Sequence, residues 1–403
     1  MDIAPIFSTL RRHKTAAALI VLEVALSCAI LCNAVHLIAG RIERMQQPSG
    51  VAETELLRIQ LASLGKQNNA DVQTREDLSL LRQLAGVKAA TVTNQVPFGN
   101  SGWQSGISLK PDQEEPTLTA SMYTGGESFL ATTGLRLVAG RDFTADEYRS
   151  GSEVLDAPGE PAVPVAIITR AMAERLFPAG GALGKSIYPW NRPTQVIGIV
   201  EELAPISTRG DPYALILPLR TAYSDNGSYL LRVEPGQRAA VLKSAVAALE
   251  QANRQRILLK HESFEEIRDA FFQQDRAMAW LLVAMCLALL VVTALGIVGL
   301  ASFWVQQRTR MIGTRRALGA TRGQILRYFQ TENLLLTSMG IALGMAGAYA
   351  INQLLMIHYE LPRLPPPYLP LGALVLWALG QIAVLGPAMR AAALPPVVVM
   401  RGA

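Results

Sequence analysis

The stretch Ala277–Val305 reads AMAWLLVAMCLALLVVTALGIVGLASFWV and contains no charged side chain from end to end. As a helix it would reach about 44 Å at 1.5 Å per residue. A bilayer core needs only about 20 apolar residues, so this segment is expected to span it and project beyond one face. Three more runs meet the criterion: residues 15–40, interrupted by Glu23 and His36, residues 333–357 and residues 368–389. The basic start Arg11-Arg12-His13-Lys14 would suit a signal peptide. The apolar run behind it is too long, carries Glu23 and has no small-x-small cleavage site, so it is read as an uncleaved anchor.

Orientation follows from Lys and Arg beside the spans. Residues 1–14 hold Arg11, Arg12 and Lys14, and residues 306–332 hold Arg308, Arg310, Arg315, Arg316, Arg322 and Arg327. The short link 358–367 offers only Arg363. The N-terminus, the Arg-rich link and the tail 390–403 are therefore expected in the cytoplasm. Residues 41–275 then lie outside, in the periplasm of a bacterium whose inner membrane carries the spans. The net charge of +5 is accounted for by this asymmetry rather than by nucleic acid.

The segment 41–275 has the composition of a soluble domain and contains no cysteine, which excludes a disulfide framework there. Residues 56–61 alternate as a strand, 74–84 read as an amphipathic helix and 87–96 as a second strand. The order returns later: a strand at 229–233, a helix at 239–253 with Val241, Ala245, Ala248 and Leu249 on one side, and a strand at 256–261. Two β-α-β halves split by an insertion at about 99–219 predict an α+β domain of two lobes between spans one and two. The whole is expected to be an α-helical membrane protein with four transmembrane helices and this extracytoplasmic domain.

Cys28, Cys32 and Cys286 all lie in apolar runs, where a thiol is a small packing residue. Residues 179–186, AGGALGKS, nearly match a phosphate-binding loop. Such a loop must follow a strand and open a helix. Here it follows a helix and Phe177-Pro178, so it is read as a structural turn. No other nucleotide motif, metal-ligand set or nucleophile–base arrangement is found, and this chain by itself is not read as an enzyme.

The link RMIGTRRALGAT, Arg310–Thr321, closely resembles the cytoplasmic signature of FtsX-like ABC permeases, the group that includes MacB and LolC/LolE. Their usual form is R-x-x-E-I-G-x-R-R-A-L-G-A followed by a helix with a Glu, here Glu332. The layout of one span, outer domain and three spans is similar as well. Gly140-Arg141-Asp142-Phe143 and Val165–Val200 look like the MacB periplasmic domain, and Pro387, Arg390-Ala391-Ala392, Pro396 and Met400-Arg401 like the family's ending. Met311 replaces the usual Glu, and Pro395-Pro396 the usual Asp-Pro.

The resemblance implies a permease subunit that binds no cofactor itself. A cytoplasmic ABC ATPase on another chain would hold ATP and Mg and push on Arg310, Ile312, Gly313, Arg315, Arg316, Ala317, Leu318, Gly319 and Ala320. Spans one and two, prolonged as a stalk, would carry the movement outward by mechanotransmission. A second permease subunit, identical or homologous, would pair with this one. The leading expectation is efflux or secretion in the MacB manner, with room for a periplasmic adaptor and an outer-membrane channel. Lipoprotein extraction of the LolC/LolE kind and FtsX-like control of a cell-wall hydrolase are the alternatives.

The residues of the link agree in part. Thr321-Arg322-Gly323-Gln324 is a capping box for the helix of span three. Gly313 and Gly319 bracket a segment able to form its own short helix. Without the motif, the Arg residues would only set topology and bind anionic membrane lipid. Within the spans, Glu23 is a functional candidate because a buried charge is costly there, and Asn33 is expected near its face.

Overall fold

A computed structural model describes residues 14–64, 69–99, 102–155, 161–190, 192–207, 210–224, 227–359 and 363–393. The expected N-terminal segment up to residue 13 and the Pro395-Pro396 departure fall outside them. The chain divides into two compact units, Met1–Gln46 with Gln274–Ala403, and Gln47–Gln273.

In chain order the elements are α1 (Lys14–Met45), β1 (Leu56–Ser63), α2 (Ala70–Gln83), β2 (Val87–Thr93), β3 (Gln104–Ile107), β4 (Leu118–Thr124), α3 (Phe129–Thr133), β5 (Leu137–Gly140), β6 (Arg149–Ser150) and α4 (Gly151–Leu155). They continue with β7 (Val165–Thr169), α5 (Arg170–Leu176), β8 (Ser186–Ile187), β9 (Thr194–Val200), β10 (Ala214–Leu217), β11 (Leu219–Arg220), β12 (Ser228–Val233), α6 (Arg238–Ala252) and β13 (Arg256–Ser263). Helices close the chain: α7 (Phe264–Phe271), α8 (Gln273–Gln307), α9 (Thr309–Ala317), α10 (Arg322–Tyr359) and α11 (Tyr368–Ala393).

Among the described residues four helices, α1, α8, α10 and α11, are long and apolar enough to cross a membrane. They outrun the apolar stretches that mark them. The helix predicted to end at residue 40 continues to Met45, because helical hydrogen bonding does not stop where hydrophobicity does. Likewise α10 begins at Arg322, inside the segment expected to be cytoplasmic link.

The centre of the membrane unit is α1, whose buried Ile20, Val24, Cys28 and Cys32 recur at i+4 along one stripe. That stripe meets Gly340 and Gly344 of α10. A Cβ on Gly344 would fall 2.5 Å from Cys28 Cβ and 2.6 Å from the Ala25 carbonyl oxygen. Small residues at this spacing let two helix backbones approach where lipid supplies no hydrophobic drive. Cys32 is used in the same way: a Cβ on Gly372 of α11 would lie 2.6 Å from its sulfur.

The other unit contains two main sheets. The first is antiparallel, in the order β13-β1-β12-β2, so the two β-α-β halves interleave rather than stack end to end. Leu78 and Leu81 of α2 and Val241, Ala245 and Leu249 of α6 bury themselves with Leu57, Ile59 and Leu61 of β1. Its core holds a closed polar knot. Asp77 of α2 accepts from the Tyr229 hydroxyl at 2.6 Å and pairs with Arg256, whose Nη2 also donates to the Leu249 carbonyl at 3.0 Å. Burial raises the Tyr229 phenol well above its ordinary value, with the Asp77 charge adding to the effect.

The second sheet has seven strands on the path β3-β4-β10-β7-β9-β5, with β8 pairing β9. It is mixed: β4/β10 and β7/β9 are parallel, the rest antiparallel. All its strands come from the insertion. The AGGALGKS segment lies between α5 and β8 with Gly180, Gly181 and Gly184 at positive φ. Lys185 donates to the Gly180 carbonyl at 3.3 Å and sits 4.7 Å over the Phe177 ring. No helix follows it. The segment is a turn closed by its own lysine.

Candidate coupling site

Local sequence signals cut α9 out of what would otherwise be one continuous helix. Arg308 leaves helical geometry at φ −105°, ψ 11°. At the other end Gly319 takes φ +95°. Its N–H donates to the Arg316 carbonyl at 3.1 Å, and the Ala320 N–H reaches the Arg315 carbonyl at 3.0 Å. This pair of bonds is a Schellman stop, which needs a residue comfortable at positive φ. Two residues later the expected capping box forms: Gln324 N–H donates to Thr321 Oγ1 at 3.3 Å, and Thr321 N–H donates to Gln324 Oε1 at 2.9 Å.

The short helix therefore has an inner and an outer side. Ile312 and Gly313 are buried, and Ile312 packs with Val305 of α8, Ile325 and Phe329 of α10, and Ala388, Ala391 and Ala392 of α11. Arg316 Nη1 donates to the Ala392 carbonyl at 2.6 Å. Arg315 lies 5.0 Å over the Tyr328 ring. Arg310, Ala317 and Gly319 are exposed, Ala320 half-buried, and Leu318 is 82% exposed. The nine residues marked by the motif thus separate by role. Ile312, Gly313, Arg315 and Arg316 hold α9 to its own chain, and Leu318 with its neighbours forms the free face.

Sequence reasoning missed what sits beneath α9. Arg308, read as one more topology signal, is buried, and its Nη1 donates to both oxygens of Glu332 at 2.9 and 2.7 Å. Its guanidinium also lies 5.3 Å from the Trp304 ring. The pair fastens the end of α8 to α10. The available signal was an Arg closing one apolar run and a lone Glu opening another.

A second fastening joins α1 to α8. Asp275, buried at the start of α8, pairs with Arg41 and, at 3.3 Å, with Arg44 of α1. Ser27 and Thr293 share a hydrogen bond of 2.8 Å further along the same two helices. Glu23 also faces α8: a Cβ on Gly296 would collide with its carboxylate. Asn33 instead donates to the Ala29 and Ala348 carbonyls, at 3.0 and 3.2 Å. The expectation that Glu23 and Asn33 share a face is thus corrected, since ten residues fall about 80° short of whole turns.

Comparison with known proteins bears on both units. Residues 17–249 match the MacB-like periplasmic core domain, and residues 283–396 match the FtsX-like permease C-terminal region. The macrolide export ATP-binding/permease protein MacB of Chromobacterium violaceum is 26% identical over 289 residues, 70% of this chain and 43% of that protein. The chain therefore spans less than half the length of that relative. Two ABC transporter permeases of Bacillus subtilis match more evenly. YvrN is 25% identical over 98% of both chains, and YknZ is 24% identical over 81% of this chain and 79% of its own.

Proposed function

The chain belongs to the FtsX-like ABC permeases that carry a MacB-like periplasmic core domain, and we propose that it couples ATP hydrolysis on a separate ATPase subunit to efflux or secretion of a periplasmic substrate. Its relatives are ABC permease components, so an ATPase partner is implied. In this reading ATP and Mg belong to that partner, and this chain supplies the surface it pushes.

The observation that carries the proposal is the two-sidedness of α9. Ile312 is 2% exposed among the ends of three spans, while Leu318 is 82% exposed one turn and a half further on. An apolar side chain left out in this way suits a partner's groove, and the buried side passes any push to α8, α10 and α11. The Arg308–Glu332 pair keeps α8 and α10 from sliding independently. The 32 residues of α1 and 35 of α8 correspond to about 48 and 52 Å, well beyond a core of about 30 Å. Tied by Asp275, they form a stalk for mechanotransmission. The two sheets of the outer unit are read as two lobes that respond to it. A second permease subunit, the bacterial inner membrane as location, and an adaptor and outer-membrane channel belong to the same proposal.

The test is capture of an ABC ATPase by the tagged full chain from detergent-solubilised membranes. Leu318→Asp should abolish capture while leaving the chain inserted and folded. Undiminished capture by that variant would refute docking on α9.

A further inference from the structure

In the outer unit a cleft of about 360 Å³ lies between the four-stranded sheet with its helix α2 and the short parallel strand pair β6–β11. Small-molecule sites favour such junctions and begin at about 300 Å³. Leu78 of α2 and Val92 of β2 give it apolar wall, and Thr74 and Thr221 add buried hydroxyls. The walls come from α2 and β2 on one side and from the β6–β11 strand pair on the other, and they are held in place. Ser150 of β6 donates to the Asp71 carboxylate of α2 at 2.9 Å across the cleft's two sides. Arg220 is anchored by Glu127 at 2.7 Å, by the Tyr148 carbonyl at 3.2 Å and over the Tyr148 ring at 5.8 Å.

Four further charges line the same cavity: Arg75, Arg149, Asp146 and Glu153. Among the described residues none of the four takes part in an ion pair. All four are exposed, whereas elsewhere in this unit Glu55 pairs with Arg232 and Lys88, Glu147 with Arg141, and Glu265 with Arg238. Two cations and two anions therefore share one cavity without closing on each other. Arg75 donates from Nε to the Asp71 carbonyl at 3.4 Å, which leaves its terminal guanidinium nitrogens for a charge-assisted hydrogen bond.

We infer that this cleft is a binding site for a small zwitterion bearing an ammonium and a carboxylate. Asp146 and Glu153 receive the ammonium, and Arg75 and Arg149 receive the carboxylate. The Asp71–Ser150 bond sets the spacing of the walls, so occupancy is linked to how α2 and β6 are held. The inference is independent of the coupling proposal, because it concerns binding alone.

The test is isothermal titration of the full chain in lipid nanodiscs with the dipeptide alanyl-alanine at low ionic strength. Saturable binding is expected. N-acetyl-alanyl-alanine, which lacks the ammonium, and alanyl-alanine amide, which lacks the carboxylate, should each bind about tenfold more weakly, one lost charge contact apiece. In Arg75→Gln/Arg149→Gln, alanyl-alanine should fall to the affinity of the amide, since the carboxylate no longer has a partner. Absence of saturable binding, equal binding of the three peptides, or an unchanged affinity in the double variant would overturn the inference.

Discussion

Arg308 and Glu332, 24 residues apart in sequence, form a buried two-point ion pair in which one guanidinium nitrogen reaches both carboxylate oxygens. The pair joins the C-terminal end of α8 to the first half of α10, at the residue from which α9 starts. Removing one partner strands the other charge, which typically costs about 3–5 kcal/mol, whereas replacing both by apolar groups is often neutral. Glu332→Gln and Arg308→Gln are thus each expected to lower the unfolding midpoint in detergent sharply, while Arg308→Met/Glu332→Leu recovers most of it. A double variant no better than the singles would show that the pair is not the fastening described.

Gly313 and Leu318 belong to one motif and should behave oppositely. Gly313 is buried and Leu318 is 82% exposed. Gly313→Asp places an unpaired carboxylate inside packed helix ends, so thermal stability should drop by several kcal/mol. Leu318→Asp should leave the melting curve within about 0.5 kcal/mol of the parent and remove ATPase capture instead. Similar melting curves for the two variants would contradict this division of α9.

The α1–α10 seam predicts a graded effect of added bulk. A Cβ on Gly344 would stand 2.5 Å from Cys28 Cβ, whereas one on Gly347 would meet Ala29 Cβ at an ordinary 3.6 Å. Gly344→Val should destabilise by about 1–3 kcal/mol through overpacking, and Gly347→Val by clearly less. Resistance to denaturation in detergent measures both. Equal losses would mean the helices approach elsewhere.

Glu147 closes the turn after β5. It takes two hydrogen bonds from Arg141, at 2.9 and 2.6 Å, and one from the Thr144 N–H at 2.9 Å. The Arg141 bonds draw its carboxyl down from 4.5 to about 2. Folding lowers this value, so the stabilisation is present above pH 4.5 and drains away as pH falls toward about 2. Across that window the difference in melting temperature between parent and Glu147→Gln should shrink toward zero. Added salt should reduce it as well, because the pair is near solvent. A difference that does not vary with pH would rule out the carboxylate as its source.

Much of the architecture was legible before any coordinates, and for identifiable reasons. Four apolar runs mark the four candidate spans, because hydrocarbon tolerates neither exposed backbone nor stray charge. The β-α-β order on either side of the insertion foretold a split α+β unit. Gly319 and the Thr321–Gln324 box determine where α9 stops and α10 starts, because both signals act within a few residues. Tertiary structure alone decided which side chains meet. That Arg308 seeks Glu332 and not lipid, that Ile312 turns inward and Leu318 outward, and that Glu23 faces Gly296 while Asn33 faces Ala348 all depend on helix rotation and neighbours. The cleft between α2 and the β6–β11 pair depends on the same information, since Arg75 and Arg149 are 74 positions apart and only the fold places them in one cavity. Local patterns specify the elements, but partnership between distant charges is fixed by packing, which composition and periodicity do not encode.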